Sequence, residues 1–146
     1  MKHLFLYILS IVLLFTSCDI ETSDNGQLDG YWHLVRVDTL TSGVSCDFSN
    51  TRVFWGVEMN LIQVVDHDND SGHYGYLFNF EYKGNTLRLY NAHKHERADG
   101  DPLVENVEVL QSLGINSLDD FFTIEKLNKN DMVIKDDYLR LWFEKM

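Results

Sequence analysis

Five aromatic residues fall at every second position in Tyr74-Gly75-Tyr76-Leu77-Phe78-Asn79-Phe80-Glu81-Tyr82. A period of two places Tyr74, Tyr76, Phe78, Phe80 and Tyr82 on one face of an extended strand, with Gly75, Leu77, Asn79 and Glu81 on the other. Lys83-Gly84-Asn85 then supplies a tight turn into Thr86-Leu87-Arg88-Leu89-Tyr90-Asn91, so the pair reads as a β-hairpin. A helix would scatter these rings around its circumference. The segment therefore commits the chain to a sheet with one strongly apolar side.

The flanking sequence continues the theme. Tyr31 to Asp38 alternates and follows Gly30, and Arg52 to Val65 is a long β-prone run, with a bulge or bend expected at Gly56. Between them, Thr39 to Asn50 is a polar loop containing Cys46. After the hairpin, Asp101-Pro102 resembles a helix start; Leu103, Val107 and Leu110 repeat at helical spacing and Gly114 marks a stop. This predicts one short helix of about three turns. Phe121 to Leu127, Met132 to Lys135 and Tyr138 to Glu144 close the chain as a meander with two- to four-residue connections. The expected fold is mainly β: an antiparallel up-and-down barrel of seven or eight strands, with the helix before the last three. Closure into a barrel removes the free strand edges that such a meander would otherwise expose. A two-sheet sandwich is the alternative.

The N-terminus has a different character. Lys2 precedes an apolar run from Leu4 to Phe15, the length of a signal-peptide core and too short to span a bilayer comfortably. It ends in Phe15-Thr16-Ser17-Cys18, which resembles a bacterial lipobox, so Cys18 is the expected lipidation site. On this reading residues 1–17 are a lipoprotein signal peptide and residues 18–27 are the acylated cysteine and a flexible acidic tether. Residues 28–146 then form the barrel domain. The formal charge of −11 would become −12 with the loss of Lys2. This acidity argues against nucleic acid as a partner. With Cys18 acylated, Cys46 has no cysteine left to pair with in the chain.

Gly30-Tyr31-Trp32 matches the G-x-W that opens the first strand of lipocalins, where the tryptophan plugs the closed end of the barrel. The lipobox, Trp55, Leu113-Gly114-Ile115, Glu125-Lys126-Leu127, Met132-Val133-Ile134 and Leu139-Arg140-Leu141 add to this. Together they resemble the small lipocalin-like lipoproteins of Bacteroidota, over most of Leu28 to Met146. The resemblance implies a barrel able to bind a small apolar or amphipathic molecule. It also implies an arginine near the end of the last strand packed over Trp32, for which Arg140 is the nearest candidate. The place it implies is the bacterial cell envelope, anchored by lipid to the outer membrane on its periplasmic face or at the cell surface.

If the barrel holds a pocket, its expected ligand wall is Trp32, Trp55, Tyr76, Phe78 and Phe80; if these rings fill the barrel, they are simply core. Two polar clusters could carry metal. Asp66, Asp68 and Asp70 match the first three ligand positions of an EF-hand loop, but Ser71 stands where glycine should and Leu77 where the final acid should. His93 and His95 have the i, i+2 spacing that presents two imidazoles on one face of a strand, as zinc would need. Solvated loops are the preferred reading of both clusters, so no cofactor is expected, with calcium or zinc as the minor readings. There is no G-x-S-x-G elbow and no glycine-rich phosphate loop after a strand. The chain is thus expected to be non-catalytic. Its leading reading is an envelope module that binds a small apolar ligand, the alternative a filled barrel that contacts protein partners of an envelope complex.

Overall fold

A computed structural model describes residues 23–70 and 72–146; the expected signal peptide, Cys18 and the first part of the expected tether lie outside the described residues. Nine strands follow one another: β1 (Gly30–Thr39), β2 (Ser45–Asp47), β3 (Val53–Glu58), β4 (Leu61–Asp66), β5 (Tyr76–Lys83), β6 (Thr86–Lys94), β7 (Asp120–Leu127), β8 (Asp131–Lys135) and β9 (Leu139–Lys145). From β3 to β9 each strand pairs antiparallel with the next, and β9 returns to pair with β1. The result is a closed eight-stranded barrel. Short β2 is an extra strand that extends the β1 edge beyond β3: residues 30–33 of β1 pair with β3, and residues 36–38 pair with β2.

The long run from Arg52 to Val65 is two strands. The reversal falls at Met59-Asn60, with Met59 at φ 53°, and not at Gly56. Gly56 sits inside β3 for another reason: the Tyr31 ring lies over it, and a Cβ there would come within 3.2 Å of that ring. A missing side chain made room for a neighbour, which in a sequence looks the same as a bend.

Alternation places Trp32, Leu34, Trp55, Ile62, Val64, Phe78, Leu87, Leu89, Phe122, Ile134, Leu141 and Phe143 in one core. A bulge between Leu34 and Arg36 shifts the phase of β1, so that Val37 turns inward while Arg36 and Asp38 turn out. The predicted three-turn helix is one turn, α1 (Glu108–Gln111). Asp101 takes φ 50°, and a residue preceding proline is disfavoured from helical geometry. Leu103 then bridges His93 and the Val104 N–H bonds to the Ala92 carbonyl, so this stretch continues the sheet. The stop at Gly114 is real, with φ 86° and the Leu141 side chain 3.0 Å from where a Cβ would be.

Candidate functional site

The barrel has two unlike ends. Turns at 59–60, 84–85 and 128–130 gather at the end where the chain enters, and the longer connections gather at the other. The entry end is closed by Trp32, whose Nε1–H donates to the Leu28 carbonyl at 2.8 Å. Lys145, paired with Trp32 across the β1–β9 seam, holds its Nζ 4.6 Å from the tryptophan ring and donates to the Gln27 carbonyl. Lys145 therefore occupies the place for which Arg140 was the candidate. Arg140 points outward and pairs with Glu125.

At the far end the connection from β6 to β7 runs across the mouth and drops side chains into it. Val104, Leu110, Leu113 and Ile115 join the core, and Trp55 donates from Nε1 to the Leu113 carbonyl at 3.3 Å. Trp55 also packs edge-on against Phe122 and tilted against Phe143. The five residues of the expected ligand wall do share the interior: Trp32, Trp55 and Phe78 are fully buried, and Tyr76 and Phe80 are 9 % exposed. Burial pushes the Tyr76 phenol above its usual range. Tyr74, expected on the same face, lies before β5 and is exposed. Among five surface clefts of the described residues, Tyr76 and Phe78 each line one, and Trp32, Trp55 and Phe80 line none.

The largest of those clefts, about 550 Å³, is on the outside. Its floor is Tyr31 on β1 and Gln63 on β4, which flank Gly56 of β3 in a cross-strand row, beside Val65. Its wall is the β4–β5 connection with Asp66, His67, Asp70, His73 and Tyr74. Tyr31 stacks on Phe54 with ring centroids 4.8 Å apart, and its hydroxyl meets His67 Nε2 at 3.1 Å. Desolvation raises the Tyr31 phenol. Gln63 donates to the Tyr74 carbonyl and to His95 Nδ1 and so ties the loop to the end of β6.

The residues predicted as metal ligands are dispersed. Asp68 accepts from the backbone N–H and Nε of Arg52 at 2.7 Å each, and that guanidinium holds its carboxyl below the usual range. Asp66 and Asp70 accept backbone N–H groups of their own loop. His93 donates from Nδ1 to the Asp101 carbonyl at 2.7 Å, whereas His95 faces Gln63 and Tyr74. Among the described residues, no three histidine, cysteine, aspartate or glutamate side chains converge as a metal set. Cys46 is exposed on β2.

A closed eight-stranded antiparallel barrel, sealed at one end by a tryptophan under a basic side chain, defines a protein of lipocalin architecture. The chain belongs to the lipocalin-like domain family, whose model matches residues 13–146. Two solved structures share the fold. A lipocalin-like protein from Bacteroides uniformis ATCC 8492 is 18 % identical over 83 % of this chain and 100 % of its own, with a TM-score of 0.62. An uncharacterized protein from Bacteroides eggerthii DSM 20697 is 17 % identical over 81 % of this chain and 98 % of its own, at 0.60. No curated protein sequence matches.

Three features escaped the sequence reading. Lys145 could have been found by counting register back from the chain end, because an up-and-down barrel must pair its last strand with its first. The stopper and the outer groove had no such signal, since both depend on where long connections settle.

Proposed function

We propose that the protein is a lipid-anchored, non-catalytic module of the bacterial cell envelope whose barrel is filled, so that recognition takes place on its exterior. The observation that carries this reading is the stopper: Leu110, Leu113 and Ile115 occupy the mouth and meet Trp55, Phe122 and Phe143 in one continuous core. Small-molecule sites are concave spaces of a few hundred Å³. The interior offers the right apolar chemistry, but its own side chains occupy it. Envelope placement and the anchor at Cys18 rest on the Phe15-Thr16-Ser17-Cys18 motif, with the outer membrane as the site. The outer groove beside Tyr31 and a protein partner in the envelope are then the natural points of contact. Calcium or zinc has no part in this reading, because Asp68 is committed to Arg52 and His93 to the Asp101 carbonyl.

A second reading keeps the barrel as a small apolar or amphipathic ligand site. In its favour, the stopper contains only one helical turn, four residues long, and a ligand could take its place. Native mass spectrometry of the purified protein, together with palmitate titration followed by tryptophan emission, separates the two. A filled barrel gives the bare polypeptide mass and flat emission. A co-purifying small molecule, or a saturating change in emission at micromolar palmitate, overturns it in favour of the second reading.

A further inference from the structure

We infer that the closed end of the barrel faces the bilayer and that the protein stands on the membrane with its long connections pointing away; this rests on the lipid anchor proposed above. The first described residue is Ser23, and the chain is fastened at the closed end directly afterwards. Asn25 donates from Nδ2 to the Met59 carbonyl at the β3–β4 turn, Leu28 is buried beneath Trp32, and Lys145 reaches the Gln27 carbonyl. Between Cys18 and Ser23 the sequence allows at most about 18 Å of fully extended chain. β1 is ten residues long, which at the rise and tilt of barrel strands gives a height of about 25 Å. The tether is too short to carry the lipid to the far rim. Whichever way the barrel leans, its closed end stays close to the membrane.

Charge decides between leaning and standing. The connections at the far end, residues 40–52, 67–75, 95–119 and 136–138, contain eleven aspartates and glutamates and two arginines. At the closed end the entry segment 23–29 carries two aspartates, Asp24 and Asp29, and the three turns, Met59-Asn60, Gly84-Asn85 and Asn128-Lys129-Asn130, contain no carboxylate and one lysine. An anionic lipid surface therefore repels the far rim more strongly than these turns, and the field acts within roughly one Debye length, about 8 Å at physiological salt. Met59, 49 % exposed, and Met146, 76 % exposed, are the apolar side chains placed to touch the surface.

The exposed thiol of Cys46 on β2 offers a reporter near the far rim. A second reporter is Met59→Cys in a Cys46→Ser background. The acylated full-length protein is reconstituted in vesicles containing anionic phosphatidylglycerol and lipids carrying nitroxide at the headgroup or shallow acyl positions, with a fluorophore on one thiol at a time. The expected result is strong quenching at position 59, several-fold beyond that at position 46, and flotation with vesicles that Cys18→Ser abolishes. Flotation with equal quenching at both positions, or with stronger quenching at 46, overturns the orientation and leaves the anchor standing. Failure of the unaltered protein to float overturns the anchor, and the orientation with it.

Discussion

Two buried carboxylates show how much a single side chain depends on its neighbours. Burial alone would raise Asp38, which is 9 % exposed, but hydrogen bonds from Ser45, Arg36 and Trp142 outweigh it and hold the carboxyl below the usual range. Asp120 is 6 % exposed and is raised, chiefly by desolvation, with Asp136 adding repulsion and the backbone N–H groups of Asn116, Ser117 and Phe121 only partly compensating. Asp38 has a guanidinium beside it; Asp120 has another carboxylate. A depressed folded-state value means that stabilisation from Asp38 is fully present above the unfolded value, about pH 4, and is lost as pH falls through the folded one. Asp38→Ala should therefore cost about 2 kcal/mol at pH 7, the scale of hydrogen bonds to a charged group. In urea titrations the gap between the two proteins should narrow steadily below about pH 4. A gap that stays constant down to pH 2.5 would mean that the carboxylate charge is not what Trp142 and Arg36 are held by.

At the scale of elements, short-range pattern was legible and the placement of long connections was not. The strand from Tyr76 to Lys83, the closing meander and the barrel class were all written in period-two alternation and in turn residues. The Leu103–Leu110 spacing also fitted a helix, but β6 ran on to Lys94 and offered Val104 a strand partner, and sheet pairing took that stretch. The acidic loop after Asp66 was equally opaque. Its three alternating aspartates suggested a calcium loop, yet what shapes it is the fit of Gly75 against β4. Gly75 has φ 93°, and a Cβ there would stand 2.4 Å from the Val64 carbonyl oxygen. That contact lets His95 bond to the Gly75 carbonyl while the loop folds back over Val65. Gly75→Ala should destabilise by about 3 kcal/mol or more, combining left-handed strain with a backbone clash. Gly72→Ala, with φ 77° but open space around it, should cost only about 1 kcal/mol. Equal shifts in denaturation midpoint would show that the loop moves off β4 freely and that the outer groove has no fixed wall.

The whole molecule is defined by closure, and closure makes its strand order cyclic. β1 and β9 lie at opposite ends of the chain yet pair over most of their length, and the Met146 N–H bonds to the Tyr31 carbonyl. The start and finish of the domain therefore meet at the closed end, which also carries the β5–β6 turn at Gly84-Asn85 on the opposite side of the ring. Such a ring needs one long-range pairing to close it, wherever the chain is cut, so the loop-closure cost changes little with the position of the break. A variant that joins Met146 to Asn25 through a short Gly/Ser linker and begins at Asn85 should fold to the same barrel. Its stability should fall by no more than about 1–2 kcal/mol, the loss of one tight turn at a surface site. Removing residues 139–146 is the opposite case. It takes away β9, exposes the edges of β1 and β8 together, and strips Leu141 and Phe143 from the core. The permuted chain should remain monomeric, with the near-ultraviolet tryptophan signal of the original, while the truncated one should aggregate. A permuted chain that aggregates as readily would mean that the β5–β6 hairpin must form first for the barrel to close at all.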